Sequence, residues 1–400
     1  MKLFTIVLML TIVAYSQNAA SQTSNSTVQN IMNPIDTFIE RKMKESGLVG
    51  IGAAIIINKE VVWTKGYGYA DNESKKPFTP NTIMNIGSIA KTFTGVCLMH
   101  AIEDKKISLD EDINKYLPFK ITNPFFPNEK ITLRNLATHT SSLADRYPFY
   151  DSTYYYGGDS PEPLGDFLKN YFEPNGKYYT SDNFLKHKPG TYREYSNIAA
   201  GVAGYIVEVV TGKKLNEYSK QHIFKPLKME NTGWFLSEIK LSDHSKLYDK
   251  KGDTLKPIQL YGFTTYPDGG VRTSVSELSK FFIALLNEGE YKGARILKKQ
   301  SVEEMLRFQF NESNKPENVD INELNSGIFW ATKLNGSRIG HNGSDPGVRT
   351  FMLSDLNKEI AVIVFFNTSL SESEERKFFD IYQRFYQYGL ELKKDKVTSH

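Results

Sequence analysis

The chain has 400 residues, with 49 Lys and Arg against 46 Asp and Glu, and a formal net charge of +3. Charged residues make up 24% of it and are interspersed, with no basic stripe that could track a phosphate backbone, so nucleic acid is not expected as a partner. The one cysteine, Cys97, excludes an internal disulfide, an iron–sulfur cluster and a multi-thiolate zinc site, and leaves the chemistry to oxygen and nitrogen side chains.

Lys2 precedes an apolar run from Leu3 to Val13, followed by small and polar residues through Ala20. This pattern predicts a secretory signal over residues 1–20, cleaved near Ser16 or Ala20; the competing reading is a buried N-terminal helix or an uncleaved anchor. The run is too short to span a bilayer, no later stretch reaches about 18 apolar residues, and no cysteine follows for lipid attachment. The expectation is an exported protein, periplasmic or secreted, with no membrane span once the signal is removed. Export without cysteine pairs suggests a bacterial envelope.

After a polar linker over 21–30, Ile31, Ile35, Phe38, Ile39 and Met43 recur at helical spacing up to Gly47. Ile51 to Ile57 and Val61 to Tyr69 are β-rich runs around Asn58-Lys59-Glu60, the composition of a hairpin. A second hairpin is predicted from Thr350 to Leu353 and Glu359 to Phe366. Between them helical periodicity dominates, at Ile89 to Ile102, Ile198 to Val210, Leu215 to Ile223 and Val275 to Leu286, and a last helix covers Glu374 to Leu392. The layout predicts one antiparallel sheet built from both chain ends, flanked by helices, with a large, mostly helical insertion. The domain spans 31–385, with a sheet lobe from about 31–87 and 325–385, a helical lobe from about 88–324 and a tail over 386–400. A cleft is expected where the lobes meet. The least regular segment, Arg146 to Tyr192, holds nine of the 23 tyrosines, which either pave a long surface loop, the simpler reading, or line the cleft.

Three short patterns carry chemistry. Gly87-Ser88-Ile89-Ala90-Lys91 opens an apolar helix, and the three-residue spacing brings the Ser88 hydroxyl and the Lys91 amine onto one face. A lysine whose pKa is lowered can take the serine proton. Roughly two Ser-x-x-Lys pairs are expected by chance in such a chain, and the second one present, Ser237 with Lys240, has no glycine before it or apolar helix after it. Taken alone, Ser88 could equally be a helix cap beside a solvated lysine. Tyr195-Ser196-Asn197 enters the next apolar helix, where the phenol could relay a proton and the amide could hold a substrate carbonyl or the lysine. His341-Asn342-Gly343-Ser344 precedes the last strand pair, where Gly343 would let a ligand backbone approach closely.

In this order the patterns resemble the serine β-lactamase and penicillin-binding protein superfamily, in its class C-like branch, which also holds D-alanyl-D-alanine carboxypeptidases, D-amino-acid peptidases and esterases. Leu136-Ala137-Thr138-His139-Thr140-Ser141-Ser142-Leu143 is similar to a family segment with glycine in place of Ser142. Phe224-Lys225-Pro226-Leu227-Lys228-Met229 resembles another, with glycine in place of Lys228, and Gly269-Gly270-Val271 a third. The resemblance covers about residues 31–385 and implies a three-layer α+β fold of the β-lactamase/transpeptidase type.

It implies Ser88 as acylated nucleophile, Lys91 as adjacent base and Tyr195 as proton shuttle. Asn197, His341, Gly343 and Ser344 would bind substrate, the N–H groups of Ser88 and Ser344 forming the oxyanion hole. No cofactor or metal is implied; the partner is a small-molecule or peptide substrate. His341 stands where β-lactamases of this branch carry lysine, and an imidazole anchors a carboxylate less well at neutral pH. That moves weight from β-lactam turnover toward D-peptides or small esters. His139 is expected to be structural, and Arg272 and Arg349 to be surface residues rather than carboxylate binders. Cys97 is expected to be a buried core thiol. The alternative of another class is a non-catalytic peptidoglycan or peptide binder. No Gly-x-Ser-x-Gly or paired-histidine metal motif supports a different hydrolase chemistry.

Overall fold

The computed structural model describes residues 34–398, with side chains to 395, so the expected signal and linker lie outside the described residues. Helix α1 (Pro34–Ser46) buries Ile35, Ile39 and Met43 on one stripe. It leads into strands β1 (Gly50–Ile57) and β2 (Glu60–Asp71). Asn58 and Lys59 between them both have left-handed φ, 49° and 69°. Two such residues make the tight turn whose twist matches the flanking strands.

Strand β3 (Lys76–Pro77) and, from the far end of the chain, β4 (Ala331–Lys333), β5 (Arg338–Asp345), β6 (Val348–Asp355) and β7 (Ile360–Phe366) complete a seven-stranded sheet. Its order is β4-β5-β6-β7-β1-β2-β3, antiparallel throughout. The chain ends meet at β1 against β7, with Ile51 opposite Phe366 and Ile57 opposite Ile360. Both strands are buried along their whole length, which is why they read as apolar runs rather than alternating ones. The alternation is still present between faces. Ile51, Ala53, Val362, Val364 and Phe366 pack on α1 and the terminal helix α5 (Arg376–Thr398), whereas Ala54, Ile56, Ile363 and Phe365 join the core of the helical region. Each large side chain so buried contributes roughly 1.5–3 kcal/mol.

The fold is therefore the expected three-layer α+β arrangement. The terminal helix continues through the 385/386 boundary drawn from the sequence, with Phe385 and Tyr386 both buried on it. The patterned His341 segment precedes the last strand pair, as expected, and itself lies inside strand β5.

At the centre of the inserted region runs α2 (Ala90–Glu103), buried at every position from Ala90 to Met99, Cys97 included. An all-round buried helix is a core element. Phe93 stacks on Phe281 of the next layer at 3.8 Å. Helix α3 (Asn197–Thr211) packs beside it and ends at Gly212 with φ 68°. Helix α4 (Val275–Leu286) follows the Gly269-Gly270 segment and matches its expected span. The predicted helix at Leu215 to Ile223 instead breaks into an α turn over Leu215–Ser219 and a wider π turn over Lys220–Phe224. The insertion also holds short strand pairs the sequence does not betray, among them Met84–Asn85 with Arg272–Thr273 and Tyr154–Tyr156 with Tyr261–Phe263. Two- and three-residue strands are too short to show a period. Ser142 and Lys228, the two departures from family glycine, both sit at positive φ, 65° and 52°. Ser142 offsets that strain with a hydroxyl that bonds the Leu185 and His187 carbonyls.

Candidate active site

Gly87, with φ 56°, turns the chain from the Met84–Asn85 strand into a 3-10 turn, Gly87–Ile89, that runs straight into α2. A side chain there would meet Ser344 N at 3.1 Å, and one on Gly343 would meet the Ile86 carbonyl at 2.1 Å. These two glycines let strand β5 lie directly against the serine turn, held by Thr350 Oγ1 donating to the Ile86 carbonyl at 2.7 Å. Gly343 thus admits the chain's own backbone, not a ligand's as the sequence suggested.

Lys91 lies on the first turn of α2, fully buried. Its ammonium donates to Ser88 Oγ at 3.1 Å, Asn197 Oδ1 at 2.6 Å and the Asp268 carbonyl at 2.9 Å, one acceptor for each proton. Burial works to lower its pKa, but Tyr195, Asp268 and Asp145 around it prevail and hold it above the ordinary lysine value. The lowered pKa expected from the sequence is therefore reversed, and the resting group is a charged ammonium.

Tyr195-Ser196-Asn197 is clamped from the segment that follows the Thr138-His139-Thr140 motif. Asp145 accepts from the N–H groups of Asn197 and Ile198 at 2.7 and 3.0 Å, from Ser196 Oγ at 3.0 Å and from Asn197 Nδ2 at 2.9 Å. It caps α3 and fixes the Asn197 amide so that its oxygen faces Lys91. Of the two roles read for Asn197, orienting the lysine is the one its geometry serves. His139 is structural, as expected: Nδ1 accepts the Ser196 N–H at 3.2 Å and the ring packs, tilted, with its centre 4.3 Å from that of Tyr195. The Tyr195 hydroxyl, in contrast, finds no hydrogen-bond partner among the described residues. Its ring centre lies 5.0 Å from the Lys91 ammonium.

On the strand side, His341 is buried and held well below the usual histidine pKa by burial, with Lys333 and Lys91 adding to the effect. Its Nδ1 lies 2.7 Å from the Asn342 carbonyl, an acceptor only, so the neutral ring carries its proton on Nδ1 and offers a lone pair at Nε2. Such a ring cannot anchor a carboxylate, which takes the weaker-anchor expectation one step further.

Ser88, Tyr195, Asn197, His341 and Ser344 all line one cavity of about 370 Å³. Tyr147, Tyr154, Asp268, Lys333, Asn342 and Asp345 complete its wall. The site adds four residues the sequence did not flag, Asp145, Asp268, Lys333 and Asp345, while Tyr154 comes from the tyrosine-rich segment, for which lining the cleft is one of the two sequence readings. Asp145 directly follows a recognised segment and Asp268 precedes the two glycines, so proximity to those motifs was the available signal. Lys333 had none, because Lys333-Leu334-Asn335-Gly336 has the wrong spacing for the family's lysine motif. Burial raises Asp268 to about 6 and Asp345 to about 7; Tyr150 donates to the first at 2.8 Å and Tyr154 to the second at 2.7 Å. The tyrosine-rich segment is thus more than surface paving.

The two arginines also depart from expectation. Arg272 is buried and donates to the carbonyls of Trp234, Gly270 and Tyr261, bracing the Gly269-Gly270 segment that delivers the Asp268 carbonyl to Lys91. Arg349 is largely buried against α5 and pairs with Glu375 at 2.8 Å. Among the described residues no cluster of three metal-ligating side chains occurs, and no helix is long and apolar enough to cross a membrane.

Comparison with known proteins agrees with this geometry. Protein flp of Staphylococcus aureus (strain MW2) is 25% identical over 340 residues, which cover 83% of this chain and 62% of that protein. The chain therefore spans less than two thirds of that relative's length. A penicillin-binding protein homologue from Pyrococcus abyssi, described as octameric, is similar in structure with a TM-score of 0.68 at 27% identity, over 90% of this chain and 77% of that one. The D-alanine carboxypeptidase AmpC of Burkholderia cenocepacia shares the fold with a TM-score of 0.64 at 20% identity, over 88% and 96% of the two chains. The Beta-lactamase family profile matches residues 35–382, nearly all of the described chain, and the protein belongs to that family.

Proposed function

We propose that the chain is an exported serine hydrolase that works through an acyl-enzyme on Ser88. The observation that carries this reading is the Ser88 hydroxyl 3.1 Å from a buried Lys91 ammonium, in a cleft that also presents the unpartnered Tyr195 hydroxyl. In the acylation step Ser88 Oγ bonds to the substrate carbonyl carbon. The Tyr195 oxygen takes that proton as its own hydroxyl proton passes to the departing amine or alcohol and that bond breaks. Lys91 is already charged, so its role shifts from the base expected from the sequence to a fixed positive charge that compensates whatever negative charge the transfer creates. The N–H groups of Ser88 and Ser344 hold the carbonyl oxygen. A water then repeats the sequence on the acyl-enzyme and returns the proton to Ser88.

The preferred substrates are D-amino-acid-containing peptides, then small esters, with β-lactams the alternative. The carboxypeptidase named among the structural relatives supports that order, as does the neutral His341. Export rests on the first 20 residues, and N-terminal sequencing of the mature protein tests it. For the chemistry, a fluorophosphonate probe should label the wild type at Ser88 and leave Ser88→Ala unlabelled. Initial rates on a D-alanyl-D-alanine peptide, a p-nitrophenyl ester and a chromogenic cephalosporin then rank the substrates, and a cephalosporin rate far above the others reverses that order.

A further inference from the structure

The cavity that holds the Asp268 and Asp345 carboxyls is also lined by a lysine with no partner among the described residues. Lys333 ends strand β4, opposite Arg338 of β5, and lines the same cavity as Ser88, His341 and Ser344. Neighbouring cations are engaged. Lys91 has its three acceptors, Arg349 has Glu375, and Arg193 donates to Ser326 Oγ at 3.2 Å. Lys333 has neither an ion pair nor a hydrogen bond from its amine among the described residues. The two acids of the cavity do not pair with it, because each accepts from a tyrosine instead. Keeping an ammonium in a recess without a counter-charge costs several kcal/mol, so such a group points to a charged ligand.

We infer that Lys333 is the specificity-determining residue that binds a free carboxylate on the substrate, supplying from the neighbouring edge strand the positive charge that neutral His341 cannot. This rests on the serine hydrolase reading above and narrows it to anionic acyl compounds, those with a carboxylate within reach of β4 when the scissile carbonyl lies at Ser88. Burial pulls the Lys333 ammonium down to about 8, with Arg193, Lys91 and Arg349 adding to the effect, so it is charged at neutral pH but loses its proton more readily than a surface lysine.

The test compares two substrates that share one ester bond, acetyl-D-alanyl glycolate and its neutral glycolamide. The wild type should favour the acid by about 30-fold in kcat/KM, mostly through KM, the range a charge-assisted hydrogen bond supplies. Lys333→Met and Lys333→Gln should reduce that ratio to within about 3-fold, and Lys333→Arg should restore most of it. No preference in the wild type, or a preference that survives both neutral variants, overturns the proposal. Should the neutral variants fail to fold, the wild-type ratio decides. It should fall between pH 7 and 9.5 as Lys333 loses its proton, and a flat ratio overturns the proposal. Lys91 is held above its ordinary value, Arg193 and Arg349 stay charged, Tyr147 is pushed up to about 12 and His341 is already neutral, so none of them mimics that fall. Asp345 lines the same cavity and, raised to about 7, gains charge in that window, so the series is repeated on Asp345→Asn, where the fall should persist and a flat ratio overturns the proposal. Failure of the fluorophosphonate to label Ser88 is a separate result and sinks the hydrolase reading itself.

Discussion

The two sides of the cleft are built on opposite principles. On the helical side the polar groups near Ser88 are committed, the Tyr195 hydroxyl excepted: Lys91 to three acceptors, Asn197 to Lys91 and Asp145, and Asp145 to four donors. On the opposite side and at the rim the groups are unspent. Lys333 has no partner among the described residues, His341 keeps a free Nε2, and Tyr147 is 60% exposed. A preorganised floor suits steps that need fixed geometry, and a loosely engaged wall suits discrimination between substrates.

Substitutions that cross this divide test it. Lys91→Met should have the largest effect, lowering turnover at least about 10³-fold while shifting stability by no more than about 2 kcal/mol, because Met fills a similar volume. Single-turnover kinetics with thermal melts separates the two. Asp145→Ala should cost about 2–4 kcal/mol in denaturant melts, since four buried donors lose their acceptor, and lower kcat by about 10- to 100-fold with little change in KM.

Asp345→Asn should change the pH dependence of stability. The Asp345 carboxyl is raised from 3.8 to about 7 by burial, so its contribution is fully present below about pH 4 and is lost as pH rises through 7. Asparagine cannot ionise. The melting temperature of the variant relative to wild type should therefore improve from pH 5 to pH 8, by a margin equivalent to roughly 2–4 kcal/mol. A margin that shrinks with rising pH contradicts this assignment. Tyr147→Ala, at the rim, should be mildest: stability within about 0.5 kcal/mol and KM changed less than about 10-fold with kcat nearly intact.

Much of the architecture was legible because its signals are local. The Asn58-Lys59 turn, the apolar runs of β1 and β7 and the span of α4 each follow from residues adjacent in sequence. The site was legible where a motif opens an element, as with Ser88 and Lys91 at the start of α2. Asp145 and Asp268 were not, because each acquires its role only by meeting a group far along the chain: Asp145 meets Asn197 across 52 residues and Asp268 meets Lys91 across 177. Lys333 was not, because only the fold brings its strand to the cavity. The short strand pairs and the buried Arg272 escaped for the same reason, since a two-residue strand has no period and a guanidinium among carbonyls has no pattern.

What the sequence determined by itself was the order of chemistry-bearing residues and the elements that carry them, since helical and strand periods and one-turn spacings are properties of neighbours. The tertiary structure decided their charge states. Lys91 is held protonated by Tyr195, Asp268 and Asp145, His341 is neutral because it is buried beside two lysines, and Lys333 stands unpaired at the cavity wall. A pKa depends on burial and on the charges that folding assembles, and neither exists until distant segments meet.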